Sequence, residues 1–322
     1  MKKIVLAGKY PEGTLDGFRE RLKGEDAEVV AVDTPEAYDK LSDADAMILR
    51  IFKAPKEFIE RNHNLKLICR WGVGVDSVDV DFASKRGVAV ANTPGANAYA
   101  VSDLAVTLML AVGRNLMFHN KSIQGGEWSR SMFVDNAVTL NAKKVGLIGG
   151  GNIGRQVARK VQAFGAQVQY FDVFRLKPEM EEEFHMTFLP LDELLKTSDV
   201  ISLHVPLTDE NRHMLDAGKI ALMKKGAIVV NTARGGLIDD KALLTAIESG
   251  HLMGAGLDCV EDDPLPAGHP LLGHPNIIIT PHIGGNVADM GSTMIPMISD
   301  NMRRFLRGEK LLYVVNEKEL AR

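Results

Sequence analysis

Residues 145–154 read VGLIGGGNIG, an apolar run that ends in Gly149, Gly150 and Gly151 with Gly154 to follow. Ordering a glycine costs more backbone entropy than ordering any other residue, so four of them at the end of a buried strand need a reason. Gly149, Gly151 and Gly154 spell G-x-G-x-x-G directly after the strand pattern. Directly after them comes a helical pattern carrying Ile153, Val157, Ala158, Val161 and Phe164, which stops at Gly165. The next strand, QVQYFD, closes on Asp172, 18 residues past Gly154. Strand, turn, helix, strand and acid in this order are the full context of a dinucleotide fingerprint. The first glycine permits the tight turn, the second lets the backbone approach a pyrophosphate, and the third lets helix and strand pack closely. The helix start at Asn152 and Ile153 offers the phosphates free N–H groups and a positive dipole end. An acid at 172 binds ribose hydroxyls and repels a 2′-phosphate, which favours NAD over NADP.

The rest of the chain has room for a second domain, with 322 residues in all. Strand patterns at 3–7, 28–32, 46–50, 65–69 and 87–92 alternate with helical stretches near 14–22, 35–41, 55–62 and 79–86. The alternation then restarts, with strands at 144–148, 167–172, 199–205, 227–231, 253–258 and 276–280 and helices at 153–164 and 239–249. Such βαβα order predicts an α/β protein of two doubly wound parallel sheets. A long helix, 102–121, separates the two series; Ser102 is its expected N-cap, and LAVTLMLAV (104–112) reads as buried on every side. That run is too short to span a bilayer, and MKKIVLAGKYPEG reads as a first strand rather than a signal peptide. A final helix, 288–308, puts Met294, Ile298, Met302 and Phe305 on one face and is expected to pack back on the first domain. The expected division is 1–100 plus 290–322 for one domain and 101–289 for an inserted second. A net charge of −4 leaves no nucleic-acid footprint, and Cys69 and Cys259, far apart in apolar runs, read as buried thiols of a reducing, cytoplasmic compartment. The acidic run MEEEF (180–184) reads as a solvated helix face.

Ligands of open α/β sheets bind beyond the carboxyl ends of the strands. Past those ends the sequence delivers Arg234 (AIVVNTARGG), Asp258 (GAGLD), His204 and Val205 (ISLHVP), and His282 followed by Gly284 and Gly285 (NIIITPHIGG). With WGVGVDSVD (71–79), NTPGANAYAVSDLAVTLML (92–110), VPLTDENRHML (205–215) and NTARGGLID (231–239) in order along nearly the whole chain, the sequence resembles the NAD-dependent D-isomer-specific 2-hydroxyacid dehydrogenases. The resemblance implies a Rossmann nucleotide-binding domain inserted into a flavodoxin-like substrate domain, and a homodimer with contacts from 102–112 and 125–133. It implies that Arg234 clamps the substrate carboxylate, that His282 is the general acid/base, and that the carboxylate five residues past Asp258 orients the histidine and favours its charged form. That position holds Asp263 where the family has Glu, one C–C bond or about 1.5 Å shorter; Glu261 stands nearby as a substitute. Asp258 matches the residue that binds the nicotinamide carboxamide. Val205, Thr232 and Ala233 match main-chain cofactor contacts, and Gly72, Val73 and Gly74 match the turn that receives the substrate carboxylate.

Arg50 and Arg70, at strand ends of the first domain, match positions that hold the substrate phosphate in phosphoglycerate-type members. They point to 3-phosphoglycerate as substrate, in a short form without a regulatory domain. Glyoxylate or hydroxypyruvate and D-lactate-type substrates stay open. So does a different class, a non-catalytic NAD-sensing corepressor-like protein that a weakened Asp263 would permit. No metal, membrane or nucleic acid is expected, only a small 2-hydroxy or 2-oxo acid.

Overall fold

The structure, a computed structural model, describes residues 1–320. It opens with β1 (Lys2–Ala7), α1 (Thr14–Arg21), β2 (Ala27–Val32), α2 (Pro35–Lys40), β3 (Ala46–Leu49), α3 (Lys56–Arg61), β4 (Leu67–Arg70), α4 (Val80–Lys85) and β5 (Ala89–Ala91). There follow α5 (Ala98–Gly113), α6 (Leu116–Gln124), β6 (Lys144–Ile148), α7 (Asn152–Ala163), β7 (Gln167–Phe171), α8 (Pro178–Glu183), β8 (Met186–Phe188) and α9 (Leu191–Thr197). The last elements are β9 (Val200–Leu203), α10 (Ala217–Ala221), β10 (Ala227–Asn231), α11 (Asp240–Glu248), β11 (Leu252–Leu257), β12 (Ile277–Ile279), α12 (Gly291–Arg307) and α13 (Glu317–Leu320). Two compact units result: Met1–Asn97 with the segment from Val287 onward, and Ala98–Asn286. The first break falls three residues before the one read from the sequence, because α5 already starts at Ala98.

The first unit is a parallel sheet in the order β2-β1-β3-β4-β5. Ile4, Val5, Leu6 and Ala7 of β1 are all buried, as befits a parallel strand covered on both faces. Strand order reverses between β1 and β3, the place where such sheets bind ligands. Helix α12 returns to this unit and buries Met294, Ile298 and Met302. It lies close on α1 because position 17 is glycine: a Cβ there would stand 3.0 Å from Ile295 Cδ1.

The second unit is a seven-stranded parallel sheet in the order β12-β11-β10-β9-β6-β7-β8, with its reversal between β6 and β9. Strand β8 has only three residues, too few for its period to be read, and exists by pairing with β7. The expected helix 102–121 is two helices bent by 63°, with Asn115 left-handed (φ 49°) at the break. Ser102 therefore does not cap it. It lies inside α5, donating to the Tyr99 carbonyl and accepting from Lys160 Nζ. Nor is α5 buried all round: Asp103 and Thr107 are exposed, while Ala105, Leu108, Met109 and Val112 are buried. Glycines in β11 seat that buried face, since a Cβ at 256 would come within 2.7 Å of Leu108 Cβ. No single helix among the described residues is long and apolar enough to cross a membrane.

Candidate active site

The reversal between β6 and β9 puts the glycine turn beside His204. Gly149 has φ 113°, and a Cβ on it would strike the His204 carbonyl at 2.7 Å. A Cβ on Gly154 would reach the Gly149 carbonyl oxygen at 2.1 Å, so α7 can start this close to β6 only as glycine. Over Gly151 there is open space within 4 Å. Asp172, just past β7, accepts from the Gly150 amide at 2.8 Å and the Phe174 amide at 3.2 Å, bracing the turn from the side of its second strand. Val205 closes the other side, its Cγ1 3.1 Å from where a Gly149 Cβ would be. Asn152 Oδ1 accepts from Arg155 at the start of α7. The four first amides of a helix have no partner inside it, so the Asn152–Ile153 end offers donors.

Three buried polar atoms on the neighbouring strand ends have no partner among the described residues: both ring nitrogens of His204 and Oγ1 of Thr232. Burial pushes the His204 imidazole down to about 3, so it is neutral near pH 7. Unpaired buried polar atoms are costly. Together with the open Gly151 face and the helix-end donors, they fit a dinucleotide that supplies acceptors and donors to this rim.

The ends of β10, β11 and β12 lie side by side. Asn231, buried at the end of β10, turns the chain: its Oδ1 accepts from the Ala233 amide at 3.0 Å and its Nδ2 donates to the Arg234 carbonyl at 2.8 Å. Arg234 is half-buried behind it, with Nη1 donating to the Ala233 carbonyl at 2.6 Å. The following Gly235 is obligatory, since a Cβ would lie 1.8 Å from the Val260 carbonyl oxygen. Asp258, buried past β11, accepts from Thr280 Oγ1 at 2.6 Å, the Ile283 amide at 2.8 Å and the Gly284 amide at 2.8 Å. Its carboxylate thus organises the loop that carries His282, Gly284 and Gly285. His282 holds φ 52°, a conformation that costs a non-glycine residue about 1–3 kcal/mol. Its Nδ1 faces Asp263 Oδ2 across 3.4 Å, a long contact that matches the shortened side chain. Glu261 does not replace Asp263: its Oε1 is taken by His213 Nε2 at 2.8 Å and Arg212 Nη1 at 3.4 Å.

In the first unit, Arg50 stands at the β1–β3 reversal, its guanidinium on the Lys9 carbonyl and 5.9 Å from the Tyr10 ring centroid. Arg70 donates from Nη1 to the carbonyls of Leu49 (2.8 Å) and Arg50 (2.7 Å) and from Nε to that of Gly74 (3.0 Å). The 72–74 turn, with Gly72 at φ 142°, spends its carbonyls inward: Gly72 on the Thr93 amide, Val73 on Asn92 Nδ2, Gly74 on Arg70. The amides of Val73 and Gly74 have no acceptor among the described residues, which suits a carboxylate.

Sequence reasoning passed over Asn231, although Asn just past a strand signals a side-chain-capped turn. It noted His204 past a strand end but gave it no role. The expectation of a solvated MEEEF face needs correcting at Glu181, which is bonded by Arg175 and Tyr170. Cys69 and Cys259 are buried and not joined in a disulfide. Among the described residues no cluster could hold a metal ion. A cavity of about 480 Å³ between α10 and α11, lined by Ile220, Ala242, Thr245 and His251 among others, includes none of the residues named above for cofactor or substrate.

Comparison with known proteins bears on this arrangement. The model of the D-isomer specific 2-hydroxyacid dehydrogenase NAD binding domain matches residues 106–284. A D-3-phosphoglycerate dehydrogenase of Methanocaldococcus jannaschii is 39% identical over 318 residues, 98% of this chain; the chain spans only 60% of that relative's length. A glyoxylate reductase of Thermococcus litoralis is 37% identical over 291 residues, 88% of this chain and 87% of that protein. A solved glyoxylate reductase from Paecilomyes thermophila matches with a TM-score of 0.85 at 31% identity, over 98% of this chain and 99% of that one.

Proposed function

The chain belongs to the D-isomer-specific 2-hydroxyacid dehydrogenase family, and from that premise we propose that it interconverts a D-2-hydroxy acid and its 2-oxo acid with NAD(H). When bound, the nicotinamide supplies or takes the hydride. The observation that carries the reading is the presence of Arg234 and the His282–Asp263 pair past the ends of adjacent strands, on the same sheet edge as the glycine turn.

Arg234 binds the substrate carboxylate through its planar guanidinium, whose fork matches two carboxylate oxygens. His282 turns Nδ1 to Asp263, which leaves Nε2 for the substrate oxygen. In reduction Nε2 gives the carbonyl oxygen its proton; in oxidation it takes the hydroxyl proton. Asp263 fixes the ring and stabilises its charge. Arg50 is assigned to a second anionic group, which makes 3-phosphoglycerate the preferred substrate. A glyoxylate or hydroxypyruvate reductase is the second reading, favoured by the engagement of Arg70 with three carbonyls. A homodimer in the cytoplasm completes the proposal.

The test is NADH oxidation with phosphohydroxypyruvate, hydroxypyruvate, glyoxylate and pyruvate, by wild type and Arg50→Ala. The preferred reading expects the variant to raise KM for phosphohydroxypyruvate by about tenfold, the loss of a charge-assisted contact, and to leave pyruvate unchanged. Equal losses on both remove the phosphate assignment. Tight NADH binding with no turnover on any oxo acid would favour the non-catalytic class.

A further inference from the structure

Arg175 stands three residues past Asp172, the acid assigned to the ribose. In dinucleotide-binding folds an arginine in this neighbourhood accommodates a 2′-phosphate, and with it NADP. Here the arginine is held. Nε donates to Glu181 Oε1 at 2.8 Å and Nη2 to Oε2 at 3.0 Å, a two-pronged pair, and the guanidinium lies 5.2 Å from the Phe188 ring centroid. Glu181 is fixed in turn: it accepts from the Tyr170 hydroxyl at 2.6 Å, and that hydroxyl accepts from the Leu176 amide at 2.9 Å. Leu176 packs on the glycine turn, 3.2 Å from where a Gly150 Cβ would be. One half-buried carboxylate therefore ties the segment that follows Asp172 to α8 and occupies both prongs of its cation. The hydrogen bonds from Arg175 and Tyr170 hold the Glu181 carboxyl down at about 2, so the pair stays charged at neutral pH.

We propose that Glu181 is a positioning residue for cofactor specificity: by holding Arg175 it denies a 2′-phosphate its cation and reinforces the selection of NAD by Asp172. The proposal rests on the reading of the second unit as NAD-binding. Its test is calorimetric titration with NAD⁺ and NADP⁺, which needs no turnover. Glu181→Gln, which can still accept from Tyr170, should lower the ratio of the NADP⁺ to the NAD⁺ dissociation constant about tenfold, the worth of one new charge-assisted contact. The double variant Arg175→Ala/Glu181→Gln should return the ratio to that of wild type. An unchanged ratio in Glu181→Gln overturns the proposal. So does an equal gain in the double variant, which would mean that only the negative charge at 181 mattered.

A second pair keeps Glu181 in place and so does not depend on how Glu181→Gln folds. Asp172→Ser and Asp172→Ser/Arg175→Ala should bind NADP⁺ within about twofold of each other, because a clamped guanidinium contributes little. A loss of about tenfold on removing Arg175 would show that it already reaches the phosphate, and would overturn the clamp. Failure of wild type to titrate with NAD⁺ is a different result: it overturns the NAD reading itself, and the proposal with it.

Discussion

His282 combines two demands that pull against each other. The proposed chemistry needs a ring nitrogen past β12, and His282 offers one from a left-handed backbone that few side chains accept without cost. Asparagine tolerates that conformation, so His282→Asn should fold as well as wild type. It should still bind NADH with an unchanged dissociation constant and lose about 10²–10⁴-fold in turnover, the range of general acid–base catalysis. Loss of NADH affinity with turnover intact at saturation would contradict the role given to His282. His204 makes the opposite prediction, about stability alone. Its folded imidazole resists protonation until about pH 3, whereas an exposed histidine takes a proton near 6.5. The unfolded chain then binds the extra proton, so stability is whole above about pH 6.5 and is lost as the pH falls through the window toward 3, by at most about 1.4 kcal/mol per pH unit. Urea denaturation at pH 7 and pH 4.5 should show a larger loss for wild type than for His204→Gln. Equal losses would mean that the ring is not kept neutral by the fold.

At the scale of the element, the junction of β6 and α7 is set by one missing methyl. An alanine at 154 would put its Cβ 2.1 Å from the Gly149 carbonyl oxygen, and backbone on both sides leaves nowhere to move. Gly154→Ala should cost about 1–3 kcal/mol of stability as an overpacked contact. The displaced start of α7 should also weaken NADH binding at least about tenfold, since misplacement by about 1 Å can cost about 10²-fold at a site. Fluorescence titration of NADH against the variant checks this. The elements differ in how far they could be read from sequence. The glycine turn and Asp172 were legible because the pattern is local: strand, turn and helix each announce themselves within a few residues. The break between α5 and α6 was missed although Gly113 ends α5, because the apolar period runs on past that stop signal. Glu181 looked solvated because its partners are a strand tyrosine and a loop arginine that only the fold brings to it.

For the molecule as a whole, the two units predict an uneven response to cofactor. A ligand at 100 times its dissociation constant stabilises the state that binds it by about 2.7 kcal/mol. Hydrogen exchange with and without NADH should therefore slow first in the second unit, at 145–155, 204–206 and 231–235. Protection confined to the first unit would refute the placement of the cofactor on the glycine turn. The sequence by itself determined the fold class, the glycine turn, the acid that follows it and the family, because hydrophobic period and turn chemistry are written in neighbouring residues. Only the tertiary structure decided who partners whom. It gave Asp258 to the loop of His282, Glu261 to His213, Arg70 to three carbonyls and Arg175 to Glu181. Those pairings join residues on different elements, and a polar side chain settles on whichever donor or acceptor the packed backbone leaves within about 3 Å.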